Sequence, residues 1–196
     1  MSDHETLRIY DRDVETYRGM VTGEPAASLV AFADALPQGA RVLDLGSGPG
    51  HAAQYLAQRG FAAEAWDASV EMAKAAAAAG VTARQASFDD LKEKAVYAGI
   101  YASFSLLHAP KSEMPRHLAS IARALIPSGL FHIGMKTGTG EKRDSLGRFY
   151  AYYERDELAG LLDTAGFDLL WEDVGETLGM DGKLAPFVLM RARKRG

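Results

Sequence analysis

A glycine-rich stretch follows a short apolar run near residue 45. Asp44 stands near the end of the strand predicted over residues 41–45, and Gly46, Gly48 and Gly50 follow at alternate positions. Glycines after a strand let the backbone turn tightly and let a ligand approach without interference from a Cβ atom. A carboxylate at this point repels a pyrophosphate, whereas it suits a cofactor that carries an ammonium or sulfonium group. The alternative is a purely structural strand-to-helix turn that binds no ligand.

A second carboxylate, Asp67, ends the next predicted strand, 21 residues beyond Gly46. A carboxylate at this place can accept hydrogen bonds from both hydroxyl groups of an adenosine ribose. Trp66, Ala68 and Met72 lie beside it and would give an apolar edge for an adenine ring. The alternatives are a turn or capping role for Asp67 and ordinary core packing for the apolar residues.

Strands and helices alternate along the chain, which predicts an α/β fold with a mainly parallel, doubly wound sheet. Helices are predicted over residues 7–20, 25–36, 51–59, 70–79, 112–125 and 154–165. Strands are predicted over residues 41–45, 61–66, 81–86, 100–104, 130–135, 167–171 and 185–191, and residues 136–148 as a mobile loop. Ligands of such sheets bind beyond the carboxyl ends of the strands, which brings residues 46–50, Asp67, 87–89 and 103–108 around one crevice.

Composition excludes several classes of function. The 196 residues include 22 Lys and Arg against 26 Asp and Glu, which argues against broad neutralisation of nucleic-acid phosphates and gives no support to membrane-surface binding. There is no cysteine, so a thiolate nucleophile and a cysteine-type metal site are excluded. No apolar run approaches the length of a membrane span, and the first residues do not form a signal peptide. We expect one cytoplasmic domain, with a helical cap over residues 1–38 and a core over 39–196.

The motifs resemble those of the class I S-adenosylmethionine-dependent methyltransferases, and the resemblance covers residues 41–193. The stretch that begins at Asp44 (Asp-x-Gly-x-Gly-x-Gly) resembles the first motif of the family, and the one that begins at Asp67 (Asp-x-Ser-x-x-Met) resembles the second. Residues 85–91 stand where the third motif stands, and residues 125–129 resemble the turn before the fifth strand. Residues 102–110 are similar to those of small bacterial members, including tellurite-resistance-type members.

The resemblance implies a Rossmann-like sheet of seven strands in the order 3-2-1-4-5-7-6, with the last strand antiparallel. It implies S-adenosylmethionine as the cofactor. An Asn-Pro-Pro-Tyr-like tetrad and a catalytic cysteine, which methylation of nucleic-acid bases would use, are both missing, so a small molecule is the expected methyl acceptor. A monomer or a homodimer is expected, without nucleic-acid or membrane partners.

The resemblance also implies roles for individual residues. Gly46, Ser47 and Gly48 would contact the methionine part of the cofactor, and Ser103 would lie beside it. Asp67 would bind the ribose. Ser87 and Phe88 would border the adenine, although the family often carries an acid where Ser87 stands. The residues expected to bind the cofactor are Asp44, Gly46, Ser47, Gly48, Asp67, Ala68, Met72, Ser87, Phe88 and Ser103.

Five side chains are candidates for the acceptor side. His108 follows the fourth strand and could take a proton from a hydroxyl or amine, although it could equally cap a helix or bond a backbone carbonyl. Tyr10 and Tyr17 share one face of the N-terminal helix and could close over the cofactor, or simply pack on the sheet. Arg148 or Lys136 could meet an anionic acceptor, or both could be solvated. No spacing of histidines predicts a metal site.

Two other functions remain open from the sequence. A nicotinamide-dependent oxidoreductase would need a Gly-x-Gly-x-x-Gly spacing and free N–H groups for a pyrophosphate, and both the spacing and Asp44 speak against it. A non-catalytic protein that binds S-adenosylmethionine would show the same cofactor motifs with an undefined acceptor site. Turnover of an acceptor, with S-adenosylhomocysteine as product, separates this alternative from an enzyme.

Overall fold

The computed structural model describes residues 3–20 and 24–196, and its centre is a sheet of seven strands. These strands are β1 (Arg41–Leu45), β2 (Ala62–Asp67), β3 (Thr82–Gln85), β4 (Tyr97–Ser103), β5 (Leu125–Lys136), β8 (Phe167–Leu178) and β9 (Leu184–Lys194). Two short strands, β6 (Glu141–Arg143) and β7 (Phe149–Ala151), form a separate antiparallel pair.

The order of the central sheet is β3-β2-β1-β4-β5-β9-β8. The pairs from β3 to β5 are parallel, whereas β9 runs antiparallel to both β5 and β8. Since β8 and β9 are the sixth and seventh strands of this sheet in chain order, the Rossmann-like order predicted from the motifs is confirmed, including the antiparallel last strand.

Helices cover both faces of the sheet. They are α1 (His4–Arg12), α2 (Val14–Met20), α3 (Ala27–Asp34), α4 (His51–Gln58), α5 (Val70–Ala78), α6 (Met114–Ala124) and α7 (Arg155–Thr164). Alternate residues of one strand enter different clusters: Val42 of β1 packs with α3 and α4, whereas Leu43 packs in the cluster that contains α6 and α7. The pleat therefore explains why β4 is buried along almost its whole length.

Three regions differ from the sequence prediction. The helix expected over residues 7–20 is broken at Asp13, so that α1 and α2 are separate helices. The segment expected to be a mobile loop, residues 136–148, contains β6 and the turn that leads to β7. The β8–β9 hairpin is also longer than expected. Within the described residues, no helix combines the length and the apolar character that crossing a membrane requires.

Candidate active site

The carboxyl ends of β1, β2 and β4 border a cavity of about 470 Å³, a size typical of small-ligand sites. Every predicted cofactor-binding residue except Ser87 lines this cavity, and so do Tyr10, Tyr17 and His108, whereas Trp66, Lys136 and Arg148 do not. The predicted residues that line it are Tyr10, Tyr17, Asp44, Gly46, Ser47, Gly48, Asp67, Ala68, Met72, Phe88, Ser103 and His108. The structure therefore brings together residues that are up to 98 positions apart in the chain, as for Tyr10 and His108.

The glycine loop after β1 has little room for side chains. Gly46 has a φ of +74°, and a Cβ atom at this position would lie 2.3 Å from the Cβ atom of Ser105. The N–H groups of Gly46 and Ser47 both donate to the carbonyl of Trp66, at 2.7 and 3.0 Å. These two donors are thus used within the protein, so they do not form an anion-binding loop of the kind that a pyrophosphate needs.

Asp44 lies beneath the loop and is only 4% exposed. Its Oδ2 atom accepts a hydrogen bond from the N–H of Ala53, at 3.2 Å, in the first turn of α4. Burial raises the pKa of Asp44 to about 7, and no Lys or Arg of the described residues contributes to the shift. A carboxylate therefore stands at the helix N-terminus where a dinucleotide fold would bind phosphate, which disfavours the nicotinamide alternative.

Asp67 is held in place by two backbone groups. Its Oδ2 atom accepts the N–H of Gly48 at 2.7 Å, and its Oδ1 atom accepts the N–H of Ser69 at 2.8 Å. Each carboxylate oxygen keeps a second acceptor position, so the pair matches two neighbouring hydroxyl groups. Burial raises the pKa of Asp67 to about 6. The turn role and the ligand role that the sequence left open are therefore compatible in one side chain.

Apolar side chains line the cavity beyond Asp67. They include Ala68, Met72 and Phe88. Met72 is almost wholly buried, so it also serves the core, as the alternative reading of the sequence proposed. An apolar lining of this kind suits an aromatic base.

Ser87 is the one predicted cofactor residue outside the lining. Its N–H and its hydroxyl both donate to Oδ2 of Asp90, at 2.8 and 2.7 Å, and so it caps the short turn over residues 88–90. Asp89 lines the cavity instead. The sequence signal was the presence of acids two and three positions after Ser87, but it did not show which of them faces the cavity.

Tyr10 and His108 are joined by a hydrogen bond of 2.7 Å between the Tyr10 hydroxyl and Nε2 of His108. Nδ1 of His108 lies 2.7 Å from the carbonyl oxygen of Phe149. A carbonyl can only accept, so Nδ1 carries the proton and Nε2 accepts the proton of Tyr10. Burial lowers the pKa of His108 to about 4. Since both ring nitrogens are used, this geometry favours the hydrogen-bonding alternative for His108 over that of a free base.

Tyr10, His108 and Tyr17 form an aromatic wall at this end of the cavity. The ring of Tyr17 meets the ring of Tyr10 edge to face, with 5.7 Å between the ring centres. On its other side it approaches the glycine loop, where a Cβ atom on Gly48 would lie 3.4 Å from Cε1 of Tyr17. The two tyrosines predicted to share a face are thus in contact, although they belong to different helices.

Polar contacts hold helix α1 against both the β6–β7 pair and the residue that precedes α5. On one side, Asp3 accepts hydrogen bonds from Arg143 of β6, at 2.8 and 3.0 Å, and the Thr6 hydroxyl accepts a backbone N–H of β7 at 2.8 Å. On the other side, Asp11 accepts the hydroxyl of Ser69, before α5, at 2.6 Å. Sequence reasoning missed these polar residues because their partners are distant in the chain.

Arg148 and Lys136 lie behind the aromatic wall and do not line the cavity. Arg148 is 2% exposed and donates to Oδ2 of Asp144 from Nε and Nη2, at 2.9 and 2.6 Å, while Nη1 lies 3.3 Å from the Tyr10 hydroxyl. The Lys136 ammonium lies 4.4 Å from the centre of the Tyr150 ring. The placement therefore does not support direct contact of either cation with an anionic acceptor.

A group of potential metal ligands includes two residues of the lining, Asp89 and His117. Asp89, Glu113 and His117 bring ligand atoms within 4.8 Å of one another. Arg116 already forms ion pairs with both acids, one of them of 2.6 Å to Asp89. The sequence did not predict this group, because its members come from two separate segments of the chain.

Fold and site together define a Rossmann-like protein with a nucleoside-sized cavity beside a glycine loop. A family model for methyltransferase domains matches residues 17–172, which is most of the chain, and the chain belongs to this family. The resemblance to class I S-adenosylmethionine-dependent methyltransferases is thereby confirmed, whereas the finer likeness to tellurite-resistance-type members stays a prediction.

Solved structures of similar fold come from several sources. The chain is similar to 1,6-didemethyltoxoflavin-N1-methyltransferase of Burkholderia thailandensis, with 24% identity, a TM-score of 0.71, and coverage of 100% of this chain and 92% of that one. It is also similar to a SAM-dependent methyltransferase of Methanosarcina mazei, with 17% identity, a TM-score of 0.75, and coverage of 88% and 99%. At these identities the likeness shows the shared fold.

A curated relative matches a shorter part of the chain. Trans-aconitate 2-methyltransferase of Mycobacterium tuberculosis is 48% identical over 61 residues, which are 30% of this chain and 23% of the relative. The match thus spans about a quarter of the length of that relative.

Proposed function

We propose that the protein transfers the methyl group of S-adenosylmethionine to a small-molecule acceptor. The observation that carries the proposal is the pair Asp44 and Asp67, which face one cavity beside a glycine loop without an ion pair to a Lys or Arg of the described residues. Buried carboxylates without cationic partners are costly unless a ligand uses them. S-adenosylmethionine brings ribose hydroxyl groups, an ammonium and a sulfonium, which together suit both of them.

The lining divides into parts that fit the parts of this cofactor. Asp67 would bind the ribose hydroxyl groups through its remaining acceptor positions, and Ala68, Met72 and Phe88 would enclose the adenine. The glycine loop, Ser103 and Asp44 would border the methionine part. In this arrangement the sulfonium faces the end of the cavity that the aromatic wall closes.

Tyr10, Tyr17 and His108 would act at that end by closing it. Their rings exclude water from the methyl group, and the hydrogen bond between Tyr10 and His108 keeps α1 in place. Methyl transfer requires an in-line approach of the acceptor to the methyl carbon, so the principal contribution of the protein is positioning and exclusion of water.

Calorimetry with the full chain tests the cofactor assignment. We expect S-adenosylmethionine and S-adenosylhomocysteine to bind and NAD not to bind. A screen of amines, phenols, thiols and carboxylates then measures formation of S-adenosylhomocysteine. Binding of NAD without binding of S-adenosylhomocysteine would contradict the proposal, and cofactor binding without turnover of any acceptor would favour the non-catalytic alternative.

Location and assembly stay predictions. A cytoplasmic location, a monomer or homodimer, and the division into a cap over residues 1–38 and a core over 39–196 are compatible with the described structure. Trans-aconitate, the substrate in the name of the curated relative, is one acceptor to include in the screen.

A further inference from the structure

The charged side chains in the described lining of the cavity are acidic. Its described lining includes the five carboxyl side chains of Asp3, Glu24, Asp44, Asp67 and Asp89, and it includes neither Lys nor Arg. The side chains around a bound acceptor therefore favour neutral or positive charge over negative charge.

Some of these acids have their charge balanced locally. Asp3 is paired with Arg143 at 2.8 Å and Asp89 with Arg116 at 2.6 Å. Asp44 and Asp67 have no such partner among the described residues, and they border the place proposed for the sulfonium end and the ribose. The unbalanced negative charge is thus concentrated where the cofactor brings positive charge.

The cations nearest the acceptor end are shielded from the cavity. The charge of Arg148 is balanced by Asp144 in an ion pair whose side chains are 2% and 6% exposed, and the Tyr10 ring lies 5.6 Å from its guanidinium carbon. Lys136 lies over the ring of Tyr150 and does not line the cavity. A carboxylate acceptor would therefore lose its hydration without gaining a direct cationic partner.

Among the described residues, no histidine at this end of the cavity has a free ring nitrogen. His108 uses Nδ1 for the Phe149 carbonyl and Nε2 for the Tyr10 hydroxyl. The two other histidines of the lining lie elsewhere: His51 begins α4 after the glycine loop, and His117 packs against Phe88 with 5.5 Å between ring centres. An acceptor that must lose a proton before or during methyl transfer would find no free histidine nitrogen to take it in the described lining beside the aromatic wall.

We infer that the acceptor atom is a weakly basic nitrogen of an aromatic amine or a heteroaromatic ring, and that carboxylates are not acceptors. This inference rests on the proposed function and narrows it. The nitrogen lone pair forms the N–C bond while the C–S bond breaks and its electron pair returns to sulfur. The positive charge then passes from sulfur to nitrogen and stays inside the same acidic cavity, and the proton of the product leaves to water afterwards.

Other acceptor classes fit the described groups less well. An alkyl amine would be held in its protonated, unreactive form by the surrounding carboxylates, because negative neighbours raise the pKa of an ammonium group. A hydroxyl group would need a base during the transfer. A flat aromatic ring also suits the aromatic side chains of Tyr10, Tyr17 and Phe104 in the lining.

Turnover of a panel of small aromatic compounds that differ in their functional group tests the inference. Aniline, benzimidazole, benzylamine, phenol and benzoate are incubated with the full chain and S-adenosylmethionine, together with trans-aconitate. We expect S-adenosylhomocysteine and an N-methyl product from aniline or benzimidazole, at rates about tenfold or more above those of the other compounds. Faster turnover of benzoate, trans-aconitate or phenol overturns the inference while the proposed function stands.

Binding to the product complex tests the charge preference without turnover. The dissociation constants of aniline and benzoate are measured by nuclear magnetic resonance on protein saturated with S-adenosylhomocysteine. We expect aniline to bind more tightly, and Leu7→Lys, which places a cation in the lining, to tighten benzoate by up to about fivefold, the effect of one partly exposed charge. Leu7→Met is the control for size.

The outcomes separate the two proposals. Benzoate that binds the parent protein at least as tightly as aniline overturns the inference, whatever the turnover. If S-adenosylmethionine binds but no compound is methylated, the proposed function fails, and the order of the two dissociation constants still decides the charge preference.

Discussion

Asp44 should make the stability of the protein depend on pH in the direction opposite to that of an ordinary salt-bridged acid. Burial raises its pKa from the ordinary 3.8 to about 7. Between these two values the folded protein keeps a proton that the unfolded chain has released, so the free energy of unfolding falls as the pH rises. Each pKa unit corresponds to 1.36 kcal/mol, so the ionised side chain costs the folded protein about 4 kcal/mol above pH 7.

The substitution Asp44→Asn removes this titration. Asparagine keeps an oxygen that can accept the N–H of Ala53, so its stability should change much less with pH. Relative to the parent protein we expect Asp44→Asn to gain up to about 3 kcal/mol of stability between pH 4.5 and pH 8. Asp67, with a pKa of about 6, titrates in both proteins and therefore cancels in the comparison.

Urea denaturation of the cofactor-free protein at the two pH values measures this difference. The control is Asp156→Asn, whose side chain is 89% exposed and should show no comparable change between the two pH values. A difference between Asp44→Asn and the parent that is equal at pH 4.5 and pH 8 would refute the reasoning, since Asp44 would then titrate at its ordinary pKa in the folded protein. A further consequence is that binding of the cationic cofactor at pH 7 should release protons, which calorimetry in two buffers of different ionisation enthalpy detects.

Three further substitutions test single contacts. Asp67→Asn should weaken binding of S-adenosylhomocysteine by roughly 10- to 100-fold in calorimetry while the fold persists, and an unchanged affinity would leave Asp67 only a turn residue. Gly46→Ala should cost about 2–4 kcal/mol in urea denaturation, because of its φ of +74° and the 2.3 Å approach to Ser105, and Ser105→Gly should restore part of the loss. Tyr10→Phe should cost about 1 kcal/mol and hasten proteolysis of α1, whereas unchanged cleavage would show that the bond to His108 does not fasten the helix.

The residues proposed to bind the cofactor could be grouped from the sequence because their signals are local along the chain. A glycine after a strand, an acid beside it, and a second acid at the end of the next strand each follow from the alternation of strands and helices. The parallel sheet then places Gly46 and Asp67 at one edge without further information. Ser87 lies outside the lining of the cavity for an equally local reason: its N–H and hydroxyl groups donate to Asp90 in a capping turn.

The acceptor end was less predictable because long-range contacts build it. The backbone N–H of Phe149 bonds Thr6 across 143 positions, and no spacing rule reports such a pair. The segment over residues 136–148 is rich in glycine, lysine and threonine, which predicts a loop. The buried ion pair of Arg148 with Asp144 and the pairing of β6 with β7 order it instead.

The two ends of the cavity are therefore built by different parts of the chain. The sheet and its loops supply the proposed cofactor end. Helix α1, α2 and the β6–β7 pair supply the acceptor end, and Asp3 and Thr6 fasten these elements to one another. Changes in these peripheral elements can alter the charge around the acceptor without disturbing the contacts of Asp67, so a shared fold does not fix the acceptor. In this chain Arg143 of β6 and Arg148, next to β7, pair with Asp3 and Asp144, and the described lining of the cavity contains carboxyl groups but no Lys or Arg.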